Sequence, residues 1–161
     1  MLYAIIGARW TIMEKERALD RMRTIMRDVA VAEFSTIGQD GFPYTRAVVN
    51  VASIRDYPDL TSYLELFPKD ELFVVSEATS EKMKQVRANN KVSLYVLNTL
   101  TYEWVMVGGI AVELKDQAIK EHMWRSRWKT TYVNPEDPNF VVIKIKAKFI
   151  RFANETIYLN D

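Results

Sequence analysis

From Met13 to Asp28 the apolar residues Leu19, Met22, Ile25 and Met26 recur at three- and four-residue spacing, with Val29 just beyond. Charged residues fill the other side, so the spacing predicts an amphipathic helix. The pattern then changes period. Val31–Ile37 and Pro43–Val51 are β-rich runs around Gly38-Gln39-Asp40-Gly41, and two such runs about an Asp-Gly turn predict a hairpin. Pro43 opens the second run, where a missing N–H is tolerated. Ala52–Lys69 carries two Pro and mixed polarity, which predicts a connection with one helical turn around Leu60–Leu66. Leu72–Ser76 is a short apolar run and reads as a buried strand. Ser80–Ala88 reads as a helix closed by Asn89-Asn90. Val92–Leu97 and Tyr102–Leu114 are β-rich, and Gly108-Gly109 predicts a bulge or a close backbone approach in the second. Asp116–Trp128 reads as a helix with Asp116 as N-cap. Phe140–Phe152 alternates, with Ile143, Ile145, Ala147 and Phe149 on one face and Lys144, Lys146 and Lys148 on the other. That is a half-solvated strand.

Strands at hairpin spacing with few helices predict an α+β domain built on an antiparallel barrel or sandwich, not a βαβ sheet. The domain spans 13–155. Residues 1–12 read as a flexible or strand-like leader, with a second Met at Met13 as an alternative start, and 156–161 read as a tail. The opening apolar stretch is far below the roughly 20 residues that cross a bilayer, and it lacks the preceding positive charge of a signal peptide.

Composition narrows the chemistry. The 161 residues hold no Cys, which excludes disulfides, thiolate metal sites and a thiol nucleophile. Zero Cys accords with a reducing, cytoplasmic setting. Lys plus Arg is 22 against 21 Asp plus Glu, so no basic excess points to nucleic acid. His122 is the only His, too few for an ordinary His-based zinc site.

Three constellations remain. Thr79-Ser80-Glu81-Lys82 follows a strand and opens a helix. Helix N-termini offer unpaired N–H groups and a positive dipole end, so hydroxyls and an ammonium there suit a phosphate. Ser or Thr in that place is more often a plain N-cap. Arg46, in Thr45-Arg46-Ala47-Val48, brings a planar fork that matches phosphate, although an Arg on a strand is more often solvated. Arg46 and Lys82 both read as lying outside the core. Trp104, Trp124, Trp128 and Tyr132 form an aromatic group able to wall a cavity, an interface or an ordinary core, with Trp124 and Trp128 one helical turn apart.

In order and spacing these segments resemble the FMN-binding split barrels of the pyridoxamine 5'-phosphate oxidase type. Val31–Val51 resembles the first hairpin, and Phe73-Val74-Val75-Ser76 with Thr79-Ser80-Glu81-Lys82 resembles the strand and phosphate segment. Asn89–Leu94 resembles the next strand entry, and Trp104–Val112 resembles the "V-x-G-x-A" strand. Trp124–Trp128 with the following Asp-Pro loop is similar to the general-stress-protein branch. The resemblance implies an FMN-dependent oxidoreductase, a homodimer with FMN between subunits and a small-molecule or nicotinamide electron donor. It implies phosphate contacts from Arg46, Ser80 and Lys82 with Thr79 nearby. It places Val48, Val74 and Val75 along the isoalloxazine by main chain, and Trp124 or Trp128 over the ring from the partner. Glu81 departs from the Arg that relatives often carry. The stretch Thr156–Asp161 lacks the Arg-rich motif of true pyridoxamine-phosphate oxidases, so that activity is not implied. A non-enzymatic FMN sensor or store, a barrel holding haem (through His122) or a deazaflavin, and an empty structural dimer stand as alternatives.

Overall fold

The computed structural model describes residues 2–159, with side chains from Glu14 onward. Helix α1 (Leu2–Arg27) leads into β1 (Val31–Ile37) and β2 (Pro43–Val49). Then come α2 (Pro58–Leu64), β3 (Glu71–Glu77), α3 (Glu81–Ala88), β4 (Lys91–Leu97), β5 (Trp104–Leu114), α4 (Gln117–Met123), β6 (Phe140–Arg151) and β7 (Thr156–Tyr158). Every pairing is antiparallel. The sheet order is β2-β1-β4-β5-β6-β3, with β7 added to β6. The sheet curls until its outer strands, β2 and β3, come within 8 Å between Cα atoms, yet no ladder joins them. This open seam makes the barrel a split one.

The apolar stripe of α1 explains where it sits. Leu19, Met22, Ile25 and Met26 pack into a core with Phe34, Leu94, Val107, Ile143 and Ile145 from the inward faces of the strands. Burying such side chains contributes roughly 1.5–3 kcal/mol each. The helix ends against Asn50, which is buried and whose Nδ2 donates to the carbonyls of Met26, which also takes the Val29 amide, and of Val29, both at 2.7 Å. Upstream, the backbone is already helical from Leu2, so residues 2–12, read from sequence as a leader, continue α1.

A second core lies on the other face of β3 and the start of β6, around Tyr57, Leu60, Phe73, Val75, Met123, Tyr132, Phe140 and Val142. Leu72 and Val74 face the first core, Phe73 and Val75 the second. A strand buried on both faces has no polar side to show, which is why Leu72–Ser76 reads as one apolar run.

Three expectations change. Thr156–Tyr158, read as tail, is β7. The alternation of β6 breaks where Gly108 pairs with Phe149 but Gly109 pairs with Ala147, leaving Lys148 as the extra residue. That bulge moves Phe149 off the face of Ile143, Ile145 and Ala147, and Ile150 takes the buried place. Phe149 instead packs at a tilt on Tyr158, ring centres 6.1 Å apart, and covers Gly108, where a Cβ would stand 2.2 Å from its ring. Finally, the predicted helix over Asp116–Trp128 stops at Met123. Asp116 does cap it, accepting from the Ile119 amide. Trp124 and Arg125 are extended, Ser126–Trp128 forms a short 3-10 turn, and Arg125 Nη1 donates to the carbonyls of His122 and Trp124. Trp124 and Trp128 are therefore not one helical turn apart.

Candidate functional site

β3 runs out at Glu77 and turns directly into α3, with Ser80 in extended conformation at the N-cap. Its Oγ does not cap the helix. It donates back to the Glu77 carbonyl at 2.7 Å and lies 3.1 Å from Ser76 Oγ. The amides of Met83 and Lys84 bond Ser80 O. The amides of Glu81 and Lys82 have no acceptor among the described residues. The start of α3 thus keeps bare donors and the positive end of the helix dipole. Lys82, in the first turn, is half-buried and has no hydrogen bond or ion pair among the described residues. Burial pushes its ammonium below the ordinary Lys value, Glu77 opposes that shift and neighbouring Arg46 adds to it.

Arg46 reaches the same place from β2. It is half-buried and, as read from sequence, is not part of the buried core. Nη1 donates to Thr36 Oγ1 at 2.6 Å and to the Phe34 carbonyl at 3.2 Å, and Nη2 donates to Gln85 Oε1 at 2.9 Å. Burial lowers its pKa, with Glu81 acting the other way. Thr36 and Gln85 were not singled out from sequence, yet they are 0% and 5% exposed. The signals exist. Thr36 continues the inward alternation Ala32, Phe34, Thr36, and Gln85 shares a helix face with Lys82 three residues earlier.

The remaining expected residues divide. Thr79 is exposed, and both its amide and its hydroxyl bond Asn139 Oδ1 at 3.3 Å. Val48 is half-buried against the first core, and Val74 and Val75 are buried in separate cores, so at the seam they offer main chain rather than side chain. Trp124 and Trp128 pack half-buried on the second core. Trp128 lies 5.6 Å from the Tyr57 ring and donates from Nε1 to its hydroxyl, while Trp124 Nε1 is buried without a partner among the described residues. Tyr132 packs at a tilt against Phe140, ring centres 5.0 Å apart. Its hydroxyl pKa is pushed up to about 12, first by burial and then by Glu77 and Asp137. Trp104 stands apart, 5.7 Å from Tyr95, so the four aromatics are not one group. His122 stacks on Tyr63 at 4.5 Å, and its Nδ1 is 2.9 Å from the Ala118 carbonyl.

Two cations and bare helix amides thus meet at one end of the seam, a donor set suited to a phosphate-type anion, while the Ser80 hydroxyl beside them gives its hydrogen to the Glu77 carbonyl. No cluster of metal-ligating side chains is found among the described residues. No helix among them is long and apolar enough to cross a membrane. At the seam's other end Arg23, Asn50, Thr61, Leu64 and Phe73 border a cavity of about 80 Å³. That is well below the roughly 300–1,000 Å³ of ordinary ligand pockets, too little for a tricyclic ring.

Residues 18–154 match the model of the family described as pyridoxamine 5'-phosphate oxidase. No curated protein matches the chain. Among solved structures, general stress protein 26 from Bacillus anthracis is similar with a TM-score of 0.68 at 22% identity, over 88% of this chain and 98% of that one. A Clostridium acetobutylicum protein related to general stress protein 26 gives 0.67 at 19% identity, over 90% and 95%. A structure described as F420 reductase gives 0.56 at 14% identity, over 80% and 94%. At these identities the likeness is one of fold.

Proposed function

Because the chain belongs to the pyridoxamine 5'-phosphate oxidase family, we propose that it is an FMN-binding flavoprotein acting as a flavin-dependent oxidoreductase in a homodimer. The observation that carries this reading is Lys82, a half-buried cation with no partner among the described residues, set on an uncapped helix start beside Arg46. A desolvated ammonium with nothing to pair is costly unless an anion completes it. In this reading Lys82, Arg46, Ser80 and the Glu81 and Lys82 amides hold the phosphate, with Thr79 at the rim. The main chain of Val48, Val74 and Val75 borders the flavin ring along the seam. Trp124 and Trp128 of a second copy would shield the ring's open side. When bound, FMN supplies hydride and electron transfer between a nicotinamide-type donor and a small-molecule acceptor. The protein's part is to grip the phosphate, orient the ring and exclude water.

The test is a fluorescence titration with FMN and with riboflavin. A hydrogen bond to a charged group contributes roughly 1.5–3 kcal/mol, and about 1.4 kcal/mol is one decade, so FMN should bind at least about tenfold tighter. Equal affinities would remove the phosphate site. Light scattering should give about twice the 18.8 kDa chain mass, and a strict monomer that binds flavin would refute the dimer. Bleaching of the bound flavin by a reduced nicotinamide separates an oxidoreductase from a flavin store.

A further inference from the structure

The geometry points to Gln85, acting with Thr36, as the positioning residue that turns one edge of the Arg46 guanidinium toward the phosphate. This inference rests on the phosphate site proposed above.

A guanidinium has five N–H donors in a rigid plane. Both Nη1 hydrogens of Arg46 are taken, by Thr36 Oγ1 and by the Phe34 carbonyl, and one Nη2 hydrogen goes to Gln85 Oε1. Nε–H and the second Nη2–H lie along one edge of the plane and have no acceptor among the described residues. A parallel pair of donors on one edge is the arrangement that grips two oxygens of a phosphate at once.

Chemistry fixes the orientation of the amide that holds this edge. Arg46 can only donate, so the Gln85 atom facing Nη2 must be the carbonyl oxygen. Thr36 Oγ1 accepts from Arg46, so its own hydrogen goes to Gln85 Oε1, 2.5 Å away. Gln85 Oε1 therefore receives two donors, and the three groups lock one another. Both helpers are buried, at 0% and 5% exposure, where water cannot substitute for them. Gln85 also stands one turn after Lys82 on α3, so the element that carries the ammonium also sets the guanidinium.

The experiment is a double-mutant cycle read as the ratio of FMN to riboflavin affinity in Gln85→Met, Arg46→Ala and the double variant. Loss of positioning should lower the ratio about tenfold in Gln85→Met, the scale of one lost hydrogen bond to a charged group. Riboflavin affinity should hold. In the Arg46→Ala background Gln85→Met should change the ratio no further, because its effect passes through Arg46. A merely structural role would weaken both flavins together and leave the ratio unmoved, which overturns the inference. An equal loss in both backgrounds would mean a direct contact to phosphate, and also overturns it. If Arg46→Ala itself leaves the ratio unchanged, the phosphate reading fails. If Arg46→Ala lowers the ratio and Gln85→Met does not, only the positioning role fails. Thr36→Val, which keeps shape and removes the hydroxyl, carries the same cycle should Gln85→Met not fold.

Discussion

Arg46→Ala and Lys82→Ala remove one cation each from the same site, and they should part company in stability. Lys82 makes no hydrogen bond or ion pair among the described residues, and its burial disfavours its charge. Truncating it removes a desolvation cost and strands nobody. Arg46 is the donor to Phe34 O, Thr36 Oγ1 and Gln85 Oε1. Without it, Thr36 and Gln85 can still bond each other, but the Phe34 carbonyl of β1 loses its side-chain donor and the guanidinium stem leaves a gap. Losing a part-buried hydrogen bond from a charged donor costs about 1.5–3 kcal/mol, and the relieved burial of Arg46's own charge offsets part of this. A net loss of about 1–2 kcal/mol corresponds to about 2–8 °C in Tm for a chain of this size. Thermal unfolding by circular dichroism should be run without flavin, since bound ligand adds its own stabilisation. Arg46→Ala should melt several degrees below the parent, and Lys82→Ala at or slightly above it. An Arg46→Ala protein as stable as the parent, or a Lys82→Ala protein that loses as much, would refute this account of the site.

Gly109→Ala should destabilise by about 1–3 kcal/mol, because the added Cβ stands 2.5 Å from the Lys146 carbonyl and 2.8 Å from Ile145 Cγ2, within a paired backbone. Gly108→Ala meets only the half-exposed Phe149 ring, which can swing outward, so chemical denaturation should show a smaller loss there. Asn50→Ala should cost about 1–3 kcal/mol, seen as a lower denaturation midpoint, since it removes the Val29 carbonyl's donor and the closer of the two donors to Met26 O at the end of α1. The FMN-to-riboflavin affinity ratio should fall as pH rises through a midpoint below the ordinary Lys value of 10.5, because the ammonium of Lys82 is easier to deprotonate here. The sign for the flavin-free protein is opposite. In that window the unfolded chain binds more protons at this Lys, so its contribution to stability increases with pH. A ratio that stays flat up to pH 10.5 would count against Lys82 as a phosphate ligand.

The readable parts of the chain are those where one physical demand dominates. β3 was legible because both its faces are buried, and the Asp40-Gly41 hairpin because Gly41 takes a φ of 81° that other residues avoid. The helix start was legible as residue types in order, since Thr79-Ser80-Glu81-Lys82 follows a strand and opens α3 whatever surrounds it. What tertiary contacts decide was not legible. Phe149 changes face because Gly108 leaves room for its ring beside the Lys148 bulge. The helix after Asp116 ends at Met123 because Arg125 folds back onto its last carbonyls. Gln85 looks like a helix surface residue until Arg46, 39 positions away, donates to it. Trp104 joined the other aromatics only by residue type, and β4 and β5 carry it elsewhere.

The two walls of the seam differ in stiffness. β3 is wedged between two cores, so shifting it would disturb both at once. Both strands have a ladder on one edge only, but β2 has mostly exposed positions, which makes it the pliable wall. Lys82 and Ser80 stand on the stiff side, and Arg46 rides on the soft one. The bond from Arg46 to Gln85 is therefore a clasp thrown from the yielding strand to the fixed frame. Thr36, on the same hairpin, donates to Gln85 as well, so two bonds tie the hairpin to α3 at one point beside the open seam.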